Sequence, residues 1–350
     1  AMVRRRPVAA PSRKNHEPAP RAAQRLQWLF YSALGTMTLV GATNHLCQMV
    51  APIPFLWTVP LLAYLMTFVV VFEREWRHRW LAMSLAGASA AGMSWAIVYL
   101  PAGRMLAAGI PVFVTGCFLV CLFCHGELAA RKPVPERLTE FYILMAAGGA
   151  LGSLFIAFLA PRIFRGYAEF PVTLAITGLV ILFSAYRRYS IAADMAAACC
   201  AALTLAPAYA YLRPQPGEVA AARNFFGALR VKDEPARAGR PALRKLYHGG
   251  TAHGSQFLDG GRKATAYYGP RSGPGVWFQN KPGPRHIGVV GLGAGTLAVY
   301  LRPGDKMTFY EINPLVAEFA GAWFSYLRSA RGEVTVRLGD GRLLLASEPP

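Results

Sequence analysis

The chain has 350 residues, of which 54% are hydrophobic and only 16% charged, against about 25% charged in ordinary soluble domains. That balance excludes a single soluble globular domain and indicates membrane segments joined to a soluble part. The formal net charge of +19 is carried largely by an N-terminal arm and by short loops between apolar runs, which is how a membrane protein sets its orientation; no basic stripe interleaved with aromatics marks a nucleic-acid partner.

Residues 1–25 carry Arg4, Arg5, Arg6, Arg13, Lys14, Arg21 and Arg25 among prolines and alanines, with nothing periodic to bury, and read as a disordered basic arm resting on anionic lipid. The apolar run Leu26 to Val50 is too long for a signal-peptide core and has no small-residue cleavage pattern after it, so it reads as a retained span. Further spans are expected over residues 52–72, 77–100, 105–125, 138–160, 170–186 and 191–212, most near the roughly 20 residues that cross the hydrocarbon. The membrane domain is therefore residues 26–212 with six or seven crossings. Its alanine-rich last segment carries Asp194 and Pro207 and is the weakest candidate. Gly148, Gly149 and Gly152 make a small-residue face suited to close helix packing.

Cys47, Cys117, Cys121, Cys124, Cys199 and Cys200 all fall in or beside apolar spans and read as buried thiols acting as small apolar residues, with no metal site among them. Cys121 to His125 spells CxxCH, the haem c attachment pattern, but it lies at the end of a membrane helix. A packed helix end with His125 and Glu127 at the interface is the preferred reading.

The arm and the loops after even-numbered spans hold fifteen Lys and Arg: the arm's seven, then Arg74, Arg77, Arg79, Arg131, Lys132, Arg137, Arg187 and Arg188. The opposite loops hold three, Arg104, Arg162 and Arg165, so the N-terminus is expected in the cytoplasm of a multi-pass inner-membrane protein. Seven crossings would put the soluble part outside. The expectation is instead that residues 191–212 lie along the interface or re-enter, leaving that part cytoplasmic.

Beyond Leu212, residues 213–222 read as a polar linker and 223–285 as a small β-rich lead-in. Within the latter, Asn224 to Val231 reads as one strand and Leu246 to Gln256 as an irregular glycine-rich turn. Residues 286–350 begin a Rossmann-like domain. Ile287 to Val290 is a short strand, Gly291, Gly293 and Gly295 follow at alternate positions, and Thr296 to Leu301 favours a helix. Glycines serve where the chain turns sharply or a ligand approaches the backbone. Met307 to Ile312 is the next strand, and Glu311 at its carboxyl end is where an acid meets ribose hydroxyls in an open parallel sheet. Thr296 stands where GxGxxG would place its third glycine, which favours an adenosyl-methionine type of ligand over a dinucleotide. Asn313 and Pro314 open a helix as cap and first residue, with Leu315, Phe319, Trp323 and Leu327 as its apolar face. Val334, Val336 and Leu338 alternate as a third strand leading to Asp340, a second acid at the same sheet edge.

Together the segments RNFFGALRV, HGSQ, TAYYGP, GLGAGT, YEINP and GDGR, with NHLCQ, PFLWTVPLLAYLMTF, CHGELA and FYILMAAGGALG in the membrane half, resemble the spermidine synthase (polyamine aminopropyltransferase) family in its membrane-fused bacterial branch. The resemblance implies a methyltransferase-type Rossmann sheet with no permanently bound cofactor. Decarboxylated S-adenosylmethionine would be the co-substrate and a diamine such as putrescine the acceptor. It implies that Gly291, Gly293 and Gly295 line the nucleoside, that Glu311 holds the ribose and that Asp340 faces the adenine. Gln256 would lie near the propylamine, and Tyr268 would contact the substrate. Gly269 and Pro270 follow Tyr268 where the family has His and Glu, and Ala294 and Thr296 replace an acidic glycine cluster. The family's gatekeeping aspartate would fall beyond Pro350, so the resemblance implies a piece of a longer protein and leaves the catalytic group unassigned.

The competing readings are an adenosyl-methionine-dependent methyltransferase, which needs no diamine site, and a non-catalytic membrane transport or assembly protein with a nucleoside-binding domain. A homo-oligomer is compatible with any of them.

Overall fold

The computed structural model describes residues 20–50, 53–73, 78–237, 239, 241–259 and 261–348. The basic arm up to residue 19 and the loop arginines Arg74 and Arg77 lie outside the described residues.

The N-terminal half is helical. Its long helices are α1 (Ala22–Met49), α2 (Phe55–Phe72), α3 (Arg79–Tyr99), α4 (Ile110–Ala129), α5 (Leu138–Leu154), α7 (Glu169–Ala185) and α8 (Ile191–Leu212). A π-helical turn, Met105–Gly109, leads into α4, and another, Phe155–Leu159, joins α5 to the short α6, Ala160–Ile163. Among the described residues, five helical segments are long and apolar enough to cross a membrane: Phe55–Phe72, Arg79–Tyr99, Met105–Ala129, Pro135–Ile163 and Ile191–Leu212. The 28-residue α1 is not among them, because it carries Ser32, Thr36, Thr38 and His45 in its buried surface. It can do so because α2, α4, α5 and α7 pack around it, and the hydroxyls of Thr36 and Thr38 donate to the carbonyls of Ser32 and Leu34.

The glycine face on α5 is realised as close helix packing. A Cβ on Gly148 would lie 2.4 Å from the Leu29 carbonyl oxygen, and one on Gly152 would lie 2.5 Å from that of Ala33. Two backbones approach each other there as no larger residue would allow.

His125 and Glu127 lie in the last turns of α4, which runs on to Ala129, and both are fully buried in the bundle. Arg79 reaches both Glu127 carboxylate oxygens at 2.5 Å and Arg131 reaches one at 2.6 Å, so two guanidinium groups compensate a charge that burial would otherwise forbid. Cys117, Cys121 and Cys124 are buried on the same helix, and no accessible loop presents CxxCH to a haem. Ile191–Leu212, expected to lie along the interface or re-enter, is a continuous 22-residue helix packed lengthwise on α7 and α3. At 1.5 Å per residue it spans about 33 Å, enough for the hydrocarbon. Small residues permit the contact: a Cβ on Gly178 would come 2.3 Å from the Thr204 hydroxyl. Asp194 causes no obstruction, since it sits in the first turn and accepts from the Arg187 amide.

The C-terminal half holds two sheets. The first is an antiparallel meander, β1 (Glu218–Asn224), β2 (Gly227–Glu234), β3 (Leu243–His248) and β4 (Thr251–Phe257). The expected single strand from Asn224 to Val231 is therefore two strands, because the Asn224 side chain accepts from the Phe226 amide at 3.0 Å and turns the chain. The expected glycine-rich turn is a hairpin, with only Gly249 and Gly250 between β3 and β4. The linker is correspondingly shorter, since β1 starts at Glu218.

After α9 (Gly273–Asn280), the second sheet has the parallel order β5 (His286–Val290), β6 (Lys306–Glu311), β7 (Glu333–Leu338). The β5–β6 connection is a 3-10 turn, Thr296–Tyr300, in place of the expected helix, and α10 (Pro314–Trp323) joins β6 to β7. The Asn313 side chain caps α10 by accepting from the Leu315 amide at 3.0 Å. Leu229, Val231, Leu246, Leu292, Phe309, Phe319 and Phe324 share one core, so the meander and the parallel sheet are packed together. Asp305, almost fully buried, pairs with Arg285 and also accepts from the Arg302 amide at 2.8 Å, which ties the start of β5 to the loop before β6.

The meander docks on the helical half through Arg223. Its guanidinium reaches both Glu169 carboxylate oxygens at 2.9 and 3.0 Å, donates to the Gly166 carbonyl at 2.8 Å and lies 4.5 Å from the Tyr167 ring centroid. Tyr167 in turn accepts from the Ala228 amide at 3.2 Å.

Candidate functional site

A cavity of about 340 Å³ opens between the meander and the carboxyl ends of β5 and β6. Its floor is the glycine loop. The Gly291 backbone has φ +91°, a conformation that favours glycine, and nothing lies within 4 Å of where its Cβ would be, so this residue leaves open space beside the cavity. Gly293 serves another purpose: a Cβ there would lie 2.7 Å from the His253 carbonyl oxygen, so it permits the close approach of β4. Gly295 packs in the same manner against Leu327 and does not line the cavity.

Glu311 ends β6 at the cavity wall and is 7% exposed. One carboxylate oxygen accepts from the Leu292 amide at 2.8 Å and the other from the Asn313 amide at 2.9 Å. Those two bonds fix the carboxylate against the glycine loop and leave lone pairs free for two hydroxyls of a ligand. Tyr268 lines the opposite wall with Tyr267, their ring centroids 4.4 Å apart. Burial, and then the neighbouring Tyr267, push the Tyr268 phenol up to about 12, so it stays a donor at neutral pH.

Gln256 and Asp340 stand elsewhere. The Gln256 side chain is buried and held at both ends by one residue: its oxygen accepts from the Ser325 amide at 2.9 Å and its amide donates to the Ser325 hydroxyl. Its place is in the packing of β4 on the segment after α10, not in the cavity lining. Asp340 is exposed at the carboxyl edge of the parallel sheet, where one oxygen accepts from the amides of Arg342 and Leu343 and caps α11 (Gly341–Ala346). It does not line the cavity either.

Two histidines in the lining, His248 and His253, were not singled out from the sequence. Their ring centroids are 5.7 Å apart, and His248 donates from Nε2 to the Phe226 carbonyl at 2.9 Å. Burial, and then the neighbouring His248, hold the His253 imidazole below its ordinary range against the opposing pull of Glu311. The spacing HGGTAHG carried the signal, because a two-glycine hairpin brings its flanking residues together. Among the described residues no cluster of His, Cys, Asp and Glu has the geometry to hold a metal ion.

Compared with protein-family models, curated proteins and solved structures, the chain matches none of them.

Proposed function

We propose that the cavity binds the adenosyl part of decarboxylated S-adenosylmethionine, and that the chain is a membrane-bound aminopropyltransferase of the spermidine synthase type acting on a diamine such as putrescine. The observation that carries this reading is the Glu311 carboxylate, held by two backbone amides beside the open face of Gly291 at the carboxyl end of a parallel strand. In the reaction the free amine attacks the propyl carbon next to the sulfonium, a new C–N bond forms, and the C–S bond breaks with its electron pair staying on sulfur. The proton released from nitrogen goes to a base, for which the His253 imidazole in the cavity wall is a candidate by position.

One observation favours a second reading, a nucleoside-binding part without transferase activity. The meander abuts the bundle end formed by Met49, Ile97 and residues 163–168, whereas Arg79, Arg131, Lys132, Arg137, Arg187 and Arg188 belong to the opposite end. The positive-inside rule then turns the sheets away from the cytoplasm, where an adenosyl sulfonium is made.

The deciding experiment is calorimetric titration of the detergent-solubilised chain with decarboxylated S-adenosylmethionine, followed by mass spectrometry of products after putrescine is added. Glu311→Ala should weaken binding by about 1.5–3 kcal/mol, the cost of losing hydrogen bonds to a charged group. Equal affinity of wild type and variant removes the assignment of Glu311, and saturable binding without spermidine supports the second reading.

A further inference from the structure

A second cavity, of about 240 Å³, lies where the bundle meets the meander. It shares no lining residue with the first: Ala228 and Arg230 face this cavity and Leu229 faces the other, so the two occupy opposite faces of β2. Its wall is strongly basic. Arg165, Arg213 and Arg230 line it against a single carboxylate, Glu218, and none of the three appears in an ion pair among the described residues. Arg223, close by in sequence, is by contrast consumed by Glu169. A polar group is also left over: His45 lines the cavity, is only 9% exposed, and its buried Nε2 has no hydrogen-bond partner. Burying an imidazole nitrogen without a partner costs free energy, so the polar groups on this side of the cavity are not all satisfied within the chain.

The position narrows the ligand further. Arg213 directly follows the membrane-length α8, and Arg165 lies two residues beyond the end of α6, so both stand at the level of a bilayer headgroup. Ile97, Ile163 and Leu212 give the same cavity an apolar side at that depth. Guanidinium forks bind tetrahedral oxyanions by paired, charge-assisted hydrogen bonds. From this combination we infer that the junction cavity is a binding site for a phosphate-type oxyanion, carried either by a phospholipid headgroup or by a soluble phosphate. Occupancy would bridge α1, α8 and β2 and so couple the membrane half to the sheet that borders the first cavity.

The test uses the full chain in a phosphate-free neutral detergent, with two probes. Phosphatidylglycerol is added to the micelles and read as a retained adduct by native mass spectrometry, and inorganic phosphate is titrated by calorimetry. A saturable, stoichiometric adduct with lipid alone identifies the headgroup, and binding of inorganic phosphate identifies the soluble source. In either case Arg213→Gln with Arg230→Gln should weaken binding about ten-fold or more, the scale of one charge-assisted hydrogen bond. If that double variant loses its native size-exclusion profile, Ala221→Leu, which fills the cavity without removing charge, replaces it and should abolish binding. Failure of both probes to bind, or binding unchanged in the folded variants, overturns the inference.

Discussion

Removing one partner of the Arg223–Glu169 pair tests how the sheets are held to the membrane half. Both side chains are nearly inaccessible, at 8% and 4% exposure, so solvent screening provides little relief when one is left alone. Glu169→Gln keeps the shape but leaves the guanidinium with neutral partners only: one carboxamide oxygen, the Gly166 carbonyl and the Tyr167 ring. Breaking a buried pair in this manner costs about 3–5 kcal/mol, mostly as an uncompensated buried charge. At about 1.4 kcal/mol per factor of ten, local opening of the junction should rise by roughly two to three and a half decades. Hydrogen exchange of β1 and β2 amides reads that opening directly, above all at Ala228, whose N–H donates to Tyr167. Replacing both partners, as Arg223→Met with Glu169→Leu, should recover most of the protection, because two apolar groups need no compensation. Exchange in Glu169→Gln within about three-fold of wild type would refute the view that this pair docks the sheets.

Gly148→Leu should destabilise the bundle by more than the usual 1–3 kcal/mol of overpacking, since its Cβ would already meet the Leu29 backbone, and thermal unfolding in detergent reads the loss. Arg285 holds the Asp305 carboxyl well below the usual carboxylate range, with the Arg302 and Arg285 amides adding to it and burial opposing. A depressed folded value contributes stability that is present above the unfolded value of about 3.9 and is lost as pH falls below it. Asp305→Asn should therefore flatten the acid limb of urea unfolding; an unchanged slope from about pH 4 downward would discount the pair. Reporter fusions at residues 188 and 216 should report opposite sides of the membrane, because the two positions flank the full-length α8; a common side would mean that α8 does not cross.

Much of the architecture was legible in the sequence because it depends on local chemistry. Apolar length marked five of the seven expected spans, the glycines of α5 marked a close contact, and the order of strand, glycines, strand, acid and Asn-Pro marked the parallel unit from β5 to α10. Glu311 was legible for the same reason: its place at a strand end follows from a short count along the chain. Roles that depend on distant partners were not. Whether Gln256 faces a ligand or a neighbour is decided by Ser325, 69 residues away, and only the fold brings them together. Glu127 reads as a charge at a membrane edge until Arg79 arrives from another helix to make its burial affordable in free energy. The packing of residues 191–212 turned on Gly178 and Ala201 meeting across α7 and α8, which no hydropathy window contains. Composition along the chain determines which segments leave water; the tertiary structure decides which buried polar groups find partners, because those partners come from residues far away in the sequence.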